Sequence, residues 1–355
     1  MGFALANVAG SGISALQHWR SNAKVAVLGG GSFGTVLSNV IAQNCAGVSL
    51  YVRAEDQARM MNSTRMNPNY VKDMVLDPKI RAVSEWEKLF EQSYELIVFA
   101  FPSHATRAQA KSIAPFLKGS EMILHATKGI EEKSLKRISV VLREELPVLR
   151  IGAISGPNLA GEMAKKEPAA TVVASEFDEV IRAGEALMNG PGFRVYGSQD
   201  VIGVEWGGTL KNIFAIACGM LECLGYGWNT RSLLLSRALA EMVRFGVAMG
   251  AQAETFLGLS GMGDLIATCS SSQSRNFRVG YHLAKGESLA EVLAELGQVA
   301  EGVRTVKIVY EFARDRHVEM PITETVYRII QGEITVNEAI TYLMARTKVE
   351  DRWFD

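Results

Sequence analysis

Histidine is scarce in this chain. There are five in 355 residues, scattered, with no HExxH motif and no paired ligand spacing. That argues against a histidine-based metal site and leaves lysine more prominent as an acid/base candidate. Cysteine is equally sparse: Cys45, Cys218, Cys223 and Cys269 show no CxxC or Cys/His spacing. Neither zinc nor a disulfide framework is expected, and three of the four sit in apolar or small-residue surroundings that suit reduced core thiols. No apolar run reaches the 18 or so residues that a membrane span needs. Charge of one sign is also lacking, because 37 Lys and Arg against 38 Asp and Glu leave a formal net charge of -1. No global field therefore favours nucleic acid or an anionic membrane, and any anion must be held by a local cluster. Internal repeats and low-complexity tracts are absent. What remains is an ordinary globular composition, 48% hydrophobic and 21% charged, long enough for two domains.

Residues 1–22 hold Gly2, Gly10, Gly12 and one basic residue, Arg20. A secretory signal has a basic start and a longer apolar core, so they are read as a flexible extension, with an amphipathic targeting peptide as the alternative. From Lys24 the pattern sharpens. A short apolar run at 24–28 meets Gly29-x-Gly31-x-x-Gly34, then a helical stretch at 35–43 and a second strand at 48–52. Strand, glycine turn, helix and strand within about 30 residues is the context that a dinucleotide site requires. Further strands are expected at 95–100, 122–125, 151–154, 171–174 and 193–196, and suggest a largely parallel sheet covered on both faces. After about residue 200 strand-like runs vanish. Helices are expected at 210–223, 232–249, 289–296, 303–314 and 336–346, two of them opened by capping boxes, Ser288 to Glu291 and Thr335 to Glu338. The fold class is thus α/β, with an N-terminal Rossmann-type doubly wound sheet over 23–200 and an all-helical C-terminal domain over 201–355.

In the glycine loop Gly29 suits the tight turn, Gly31 the approach of a pyrophosphate, and Gly34 the packing of helix on strand. The second strand ends at Arg53, the position that decides between a ribose hydroxyl and a 2′-phosphate, so NADP is favoured over NAD. A solvated arginine is the plainer reading. Lys128 ends another strand loop, where ligands of open sheets bind, and Asn158 follows the turn at Ser155-Gly156-Pro157.

The segment GGTLKNIFAIACG at 207–219 places Lys211 and Asn212 in a run otherwise small and apolar. Burying an ammonium there costs several kcal/mol without a partner, and desolvation lowers its pKa toward proton-transfer range; a surface lysine at a helix start with its stem snorkelling fits the segment equally. Asp264, among small and apolar residues at 259–268, is the candidate partner, although a helix cap also fits. Ser274, Arg275 and Asn276 precede a helical segment and could clamp a substrate phosphate, or simply form a polar surface loop.

These stretches resemble the soluble NAD(P)-dependent sn-glycerol-3-phosphate dehydrogenases in their bacterial form. The resemblance runs from about Lys24 to the C-terminal region. It rests on GGGSFG at 29–34, ATKGIE at 126–131, SGPNLAGEMA at 155–164, the 207–219 segment, GLSGMGDLIATCSSSQSRN at 258–276 and VAEGVRT at 299–305. It implies reversible reduction of dihydroxyacetone phosphate to sn-glycerol 3-phosphate, the backbone of glycerophospholipids, by a cytoplasmic homodimer without nucleic-acid partners. It implies Lys211 as acid/base with Asp264 beside it, and Lys128, Gly156, Asn158, Asn212, Ser274, Arg275 and Asn276 as substrate or cofactor contacts. Ser32, Phe33, Arg53, Ala160, Val299 and Glu301 match cofactor-contacting positions, as does Arg275. Residues 1–22 precede the family's usual start, and Asn158 stands where many bacterial relatives have serine. The alternatives are a related dehydrogenase for another hydroxy acid or hydroxy phosphate, and a catalytically dead NADP-binding protein.

Overall fold

A computed structural model describes residues 12–296 and 300–346. The chain divides into two compact units. The first takes residues up to 127, then 136–154 and 158–201, and the second takes 128–135, 155–157 and the residues from 202 on.

The first unit is built on an eight-stranded sheet: β1 Lys24–Leu28, β2 Gly47–Tyr51, β3 Ile80–Val83, β4 Leu96–Phe99, β5 Met122–His125, β6 Ile151–Ser155, β7 Ala169–Ser175 and β8 Phe193–Ser198. Their order is β3-β2-β1-β4-β5-β6-β7-β8, mostly parallel. β1 pairs with β2 on one side, Val25 beside Val48, and with β4 on the other, Val25 beside Leu96. Both sheet faces are buried, which is why these strands are apolar without alternation. Val25, Val27, Leu96 and Val98 point into one core, and Ala26, Leu28, Ile97 and Phe99 into the other. The strand period of two assigns successive residues to opposite faces. Strand order reverses between β1 and β4, and the carboxyl ends there are where open sheets of this kind take ligands.

In the first unit two features depart from the sequence reading. β3 was not expected: its four residues, Ile-Arg-Ala-Val, carry an arginine and form the sheet's edge, so they lack the long apolar run of the central strands. Within the expected flexible extension, Gly12–Asn22 is a helix, and Trp19 packs against the first of the two sheet cores.

The second unit is helical. Its central helix, Val201–Cys223, begins earlier than its apolar spacing suggested, because Gly207 and Gly208 lie inside it. Trp206, Leu210, Ile213, Phe214 and Met220 make it buried nearly all round, as a helix through the middle of a core must be. Helices Trp228–Ala248, Arg275–Ala284, Leu289–Leu296, Glu301–Asp315, Pro321–Ile330 and Val336–Ala345 surround it. Both capping boxes form, with the Ser288 hydroxyl accepting from the Glu291 N–H and the Glu291 carboxylate accepting from the Ser288 N–H. Glu241 fixes another helix start by accepting from the N–H groups of Ile322 at 2.5 Å and Thr323 at 3.2 Å.

Candidate active site

The glycine loop leaves β1 at the point where the strand order reverses. Gly29 has φ +118°, and a Cβ there would lie 2.7 Å from the Ala100 carbonyl oxygen, just past β4. A Cβ on Gly30 would meet Val52 at 2.2 Å, and one on Gly34 the Gly29 oxygen at 2.0 Å. Those three glycines are required by the protein's own packing. Gly31 is not: its backbone is extended, at φ -76° and ψ -174°, and a Cβ there would meet nothing within 4 Å. A glycine that the fold does not need, facing open space at a helix N-terminus, fits close approach by a ligand backbone. Helix Ser32–Ala42 starts directly after it, with no acidic residue in its first turn. Its free N–H groups and positive dipole end suit a pyrophosphate. Phe33 packs on the sheet core beneath, and Ala160, which opens helix Ala160–Ala164, packs on the same core. Arg53 is exposed just past β2, whose last residue, Tyr51, stacks on Trp86 with ring centroids 3.5 Å apart.

In the second unit Asp264 gathers two lysines. Lys128 donates to Oδ2 at 2.6 Å and also reaches the Gly156 carbonyl at 3.1 Å. Lys211 donates to Oδ1 and, at 2.8 Å, to Thr268 Oγ1. Thr268 and Ser155 donate to the same carboxylate at 3.3 and 3.4 Å. Asp264 is 1% exposed and Lys211 6%. Burial would raise the Asp264 carboxyl, but the two ammoniums more than offset it and hold it below its ordinary value. For Lys211 burial is the largest influence and lowers the pKa. Asp264 opposes it and the Lys128 ammonium adds to it, bringing Lys211 down to about 7. One carboxylate neutralises one ammonium, so the second proton in this buried cluster is the one held weakly.

Local sequence explains the placement. Gly207 and Gly208 lie four and three residues before Lys211, on the same helix face, and helical side chains lean back over that turn. Without Cβ atoms there, the helix approaches its neighbours closely. A Cβ on Gly207 would sit 2.3 Å from the Ser260 oxygen, and one on Gly208 2.5 Å from Ser155 Oγ. Ser260 belongs to a π-helical turn, Leu259–Gly263, that hands the chain to helix Asp264–Cys269. Such turns recur at functional sites. Thr268 follows Asp264 by one helical turn and so shares its face.

The remaining sequence candidates are distributed as follows. Ser274 caps helix Arg275–Ala284 by accepting from the Phe277 N–H at 3.3 Å, and Arg275 opens that helix, exposed. Asn276 is buried and accepts from the Gly302 N–H at 3.0 Å, next to Glu301, the first residue of its helix. Asn212 is buried beside Lys211 in the central helix. In the first unit, the Asn158 carboxamide donates to the Ala170 oxygen at 2.8 Å and accepts from the Thr171 hydroxyl at 2.9 Å, which ties its turn to β7. Val299 lies outside the described residues. Thr268 and Ser155 were not singled out by sequence. Both stood inside quoted motifs, but a hydroxyl carries no signal until its neighbour is known.

Known proteins agree over almost the whole chain. The family model for the NAD-dependent glycerol-3-phosphate dehydrogenase N-terminus matches residues 24–181, and that for the C-terminus matches 200–341. The glycerol-3-phosphate dehydrogenase (NAD(P)+) of Pseudomonas putida is 47% identical over 320 residues, 90% of this chain and 93% of the relative. That of Teredinibacter turnerae is 43% identical over 328 residues, 92% and 96% of the two chains. Among solved structures, the glycerol-3-phosphate dehydrogenase of Coxiella burnetii superposes with a TM-score of 0.85 at 33% identity, covering 92% of this chain and 99% of that one.

Proposed function

The chain belongs to the NAD-dependent glycerol-3-phosphate dehydrogenase family, and we propose that it reduces dihydroxyacetone phosphate reversibly to sn-glycerol 3-phosphate with Lys211 as the proton donor. The observation that carries this is the Lys211–Asp264–Lys128 cluster, in which Lys211 and Asp264 are buried and Lys211 is brought to about 7.

NAD(P)H supplies hydride to the ketone carbon, and the glycine loop with the start of helix Ser32–Ala42 would hold its pyrophosphate. As the carbonyl oxygen gains negative charge, the Lys211 ammonium gives it a proton; in the reverse direction neutral Lys211 removes the alcohol proton. Two of the three ammonium N–H bonds are directed at Asp264 and Thr268, which leaves one for the substrate oxygen. Lys128 adds fixed positive charge and keeps Asp264 ionised, so Asp264 orients Lys211 instead of taking its proton. Arg275 and the N–H groups of its helix suit the substrate phosphate. Binding that non-reacting group supplies orientation at the reacting carbon.

Family membership supports the wider reading: NADP use through Arg53, supply of backbones for glycerophospholipids, a homodimer and a cytoplasmic location. Among the described residues no helix is long and apolar enough to cross a membrane. The test is loss of NADPH or NADH absorbance on adding dihydroxyacetone phosphate, against a panel of other keto acids and keto phosphates at equal concentration. Turnover confined to other substrates would replace the substrate assignment, and tight cofactor binding with no turnover would make the chain a binding protein.

A further inference from the structure

Asn67 lies 37 residues beyond Gly30, on the connection between helix Glu55–Thr64 and β3, and no sequence motif drew attention to it. It is 1% exposed. Its carboxamide nitrogen donates to the Gly30 carbonyl at 3.0 Å and to Thr35 Oγ1 at 2.9 Å, and its oxygen accepts from Gln57 Nε2 and from the Asn69 N–H, both at 3.1 Å. Gly30 O can only accept and the Asn69 N–H can only donate, so these two partners fix which end of the carboxamide points where. All four of its hydrogen bonds are made. Gln57 Nε2 also reaches the Gly30 carbonyl, at 3.3 Å.

We propose that Asn67, supported by Gln57, is a positioning residue for the cofactor pyrophosphate, acting by holding the Gly30–Gly31 peptide in one orientation. In a planar trans peptide the C=O and the following N–H point in opposite directions. With the Gly30 carbonyl held inward on Asn67, the Gly31 N–H is turned outward, at the one glycine of the loop whose missing side chain faces open space. The second bond, to Thr35 in the first turn of helix Ser32–Ala42, ties the same carboxamide to the helix start. One buried side chain thus sets the relative placement of the loop donors and the helix N-terminus. The Gly29 N–H bonds the Tyr51 carbonyl and the Thr35 N–H the Gly31 carbonyl, at 3.1 and 3.0 Å, but among the side chains Asn67 and Gln57 hold the Gly30 carbonyl, in a turn where glycine itself imposes almost no backbone preference.

This inference rests on the glycine loop being the cofactor site, and the experiment separates the two. Binding of NADH, NADPH and ADP to the full chain is measured by fluorescence or calorimetry, alongside steady-state kinetics and apo thermal unfolding. Asn67→Leu, which keeps the branching at Cγ and removes the donors and the acceptor, should raise each Kd about 10-fold, roughly what loss of one or two net hydrogen bonds gives. The KM for dihydroxyacetone phosphate and kcat at saturating cofactor should stay within about twofold of wild type. Gln57→Leu, on a half-buried side chain, should shift the Kd values in the same direction by less and serves if Asn67→Leu does not fold. Gly31→Val is the control. If it loses cofactor binding while both anchor variants bind like wild type, the Asn67 proposal is overturned and the glycine-loop reading stands. If Gly31→Val also binds normally, the glycine-loop reading fails and takes the proposal with it. Lower apo stability with unchanged Kd in the anchor variants assigns Asn67 a structural role only, and overturns the proposal.

Discussion

Lys128 and Lys211 donate to opposite oxygens of one carboxylate, Asp264, so the two ammoniums share a single counter-charge inside the helical unit. Asp264 both orients Lys211 and sustains its proton. Asp264→Asn removes the negative charge that raises the Lys211 pKa against the effect of burial. The variant should lose at least about 100-fold in kcat/KM for reduction at neutral pH, through a misplaced and mostly neutral Lys211. Removing one partner of a buried pair also costs about 3–5 kcal/mol. Urea unfolding should therefore show a lower midpoint, and the catalytic loss should exceed the loss of folded protein. Wild-type turnover in Asp264→Asn would remove Asp264 from the mechanism.

The pH dependence follows from Lys211 lying at about 7 instead of 10.5. Reduction needs the ammonium, so its kcat/KM should fall about tenfold per pH unit above 7; oxidation needs the amine, so its kcat/KM should rise with pH and level off above 7. Stability has a defined sign as well. Between about 7 and 10.5 the unfolded chain binds the proton that the folded chain has released, so stability rises with pH over that window and this contribution is lost as pH falls through 7. Lys211→Met should abolish both rate limbs and flatten that part of the stability profile. Limbs that persist in Lys211→Met belong to another group.

Much of this was legible in the sequence because it is local. Gly29 to Gly34 sit between an apolar strand and a helix, and Lys211 stands out as the one charge in an apolar run. Asp264 was legible as a partner because a carboxylate among small residues needs a cation. The long-range parts were not. Asn67 acts on Gly30 from another loop, and Thr268 and Ser155 gain meaning only once the central helix brings Lys211 to them. β3 was missed because an edge strand of four residues with an arginine is not apolar enough to declare itself. The central helix starts at Val201, before the 210–223 span expected from its apolar period, because close packing at Gly207 and Gly208 outweighs their weak helix propensity.

The central helix crosses helix Arg275–Ala284 at two glycines. A Cβ on Gly219 would lie 1.9 Å from the Phe277 oxygen, and one on Gly280 1.8 Å from the Ile216 oxygen. Both obstacles are backbone, so the helices must separate to admit a methyl group. Gly219→Ala and Gly280→Ala should each destabilise by about 1–3 kcal/mol, more than the gain of about 1 kcal/mol in helix propensity. Chemical denaturation of the apo protein measures it, and unchanged midpoints would show that the crossing is loose.

Within the glycine loop two substitutions should behave oppositely. Gly34→Ala drives a methyl toward the Gly29 oxygen, 2.0 Å from where its Cβ would stand, and should lower apo stability by more than about 1 kcal/mol. Gly31→Ala places its methyl in open space on an extended backbone, so apo stability should change by less than about 0.5 kcal/mol. Its cost should appear in cofactor affinity instead, read by titration with NADH and ADP. A Gly31→Ala protein with wild-type affinity would move the pyrophosphate away from this glycine.

Arg53 is exposed just beyond β2, where an acidic residue would instead accept from a ribose hydroxyl. On the proposed reading a guanidinium here would pair with a 2′-phosphate by charge-assisted hydrogen bonds, worth about 1.5–3 kcal/mol in a binding site. Arg53→Asp removes that attraction and adds repulsion of the phosphate, while offering NADH an acceptor for its hydroxyl. The ratio of kcat/KM for NADPH to that for NADH should fall at least about 10-fold, with kcat at saturating NADH and the KM for dihydroxyacetone phosphate close to wild type. If both coenzymes weaken equally, Arg53 supports the loop without reading the ribose, and the proposed use of NADP loses its support from this side chain.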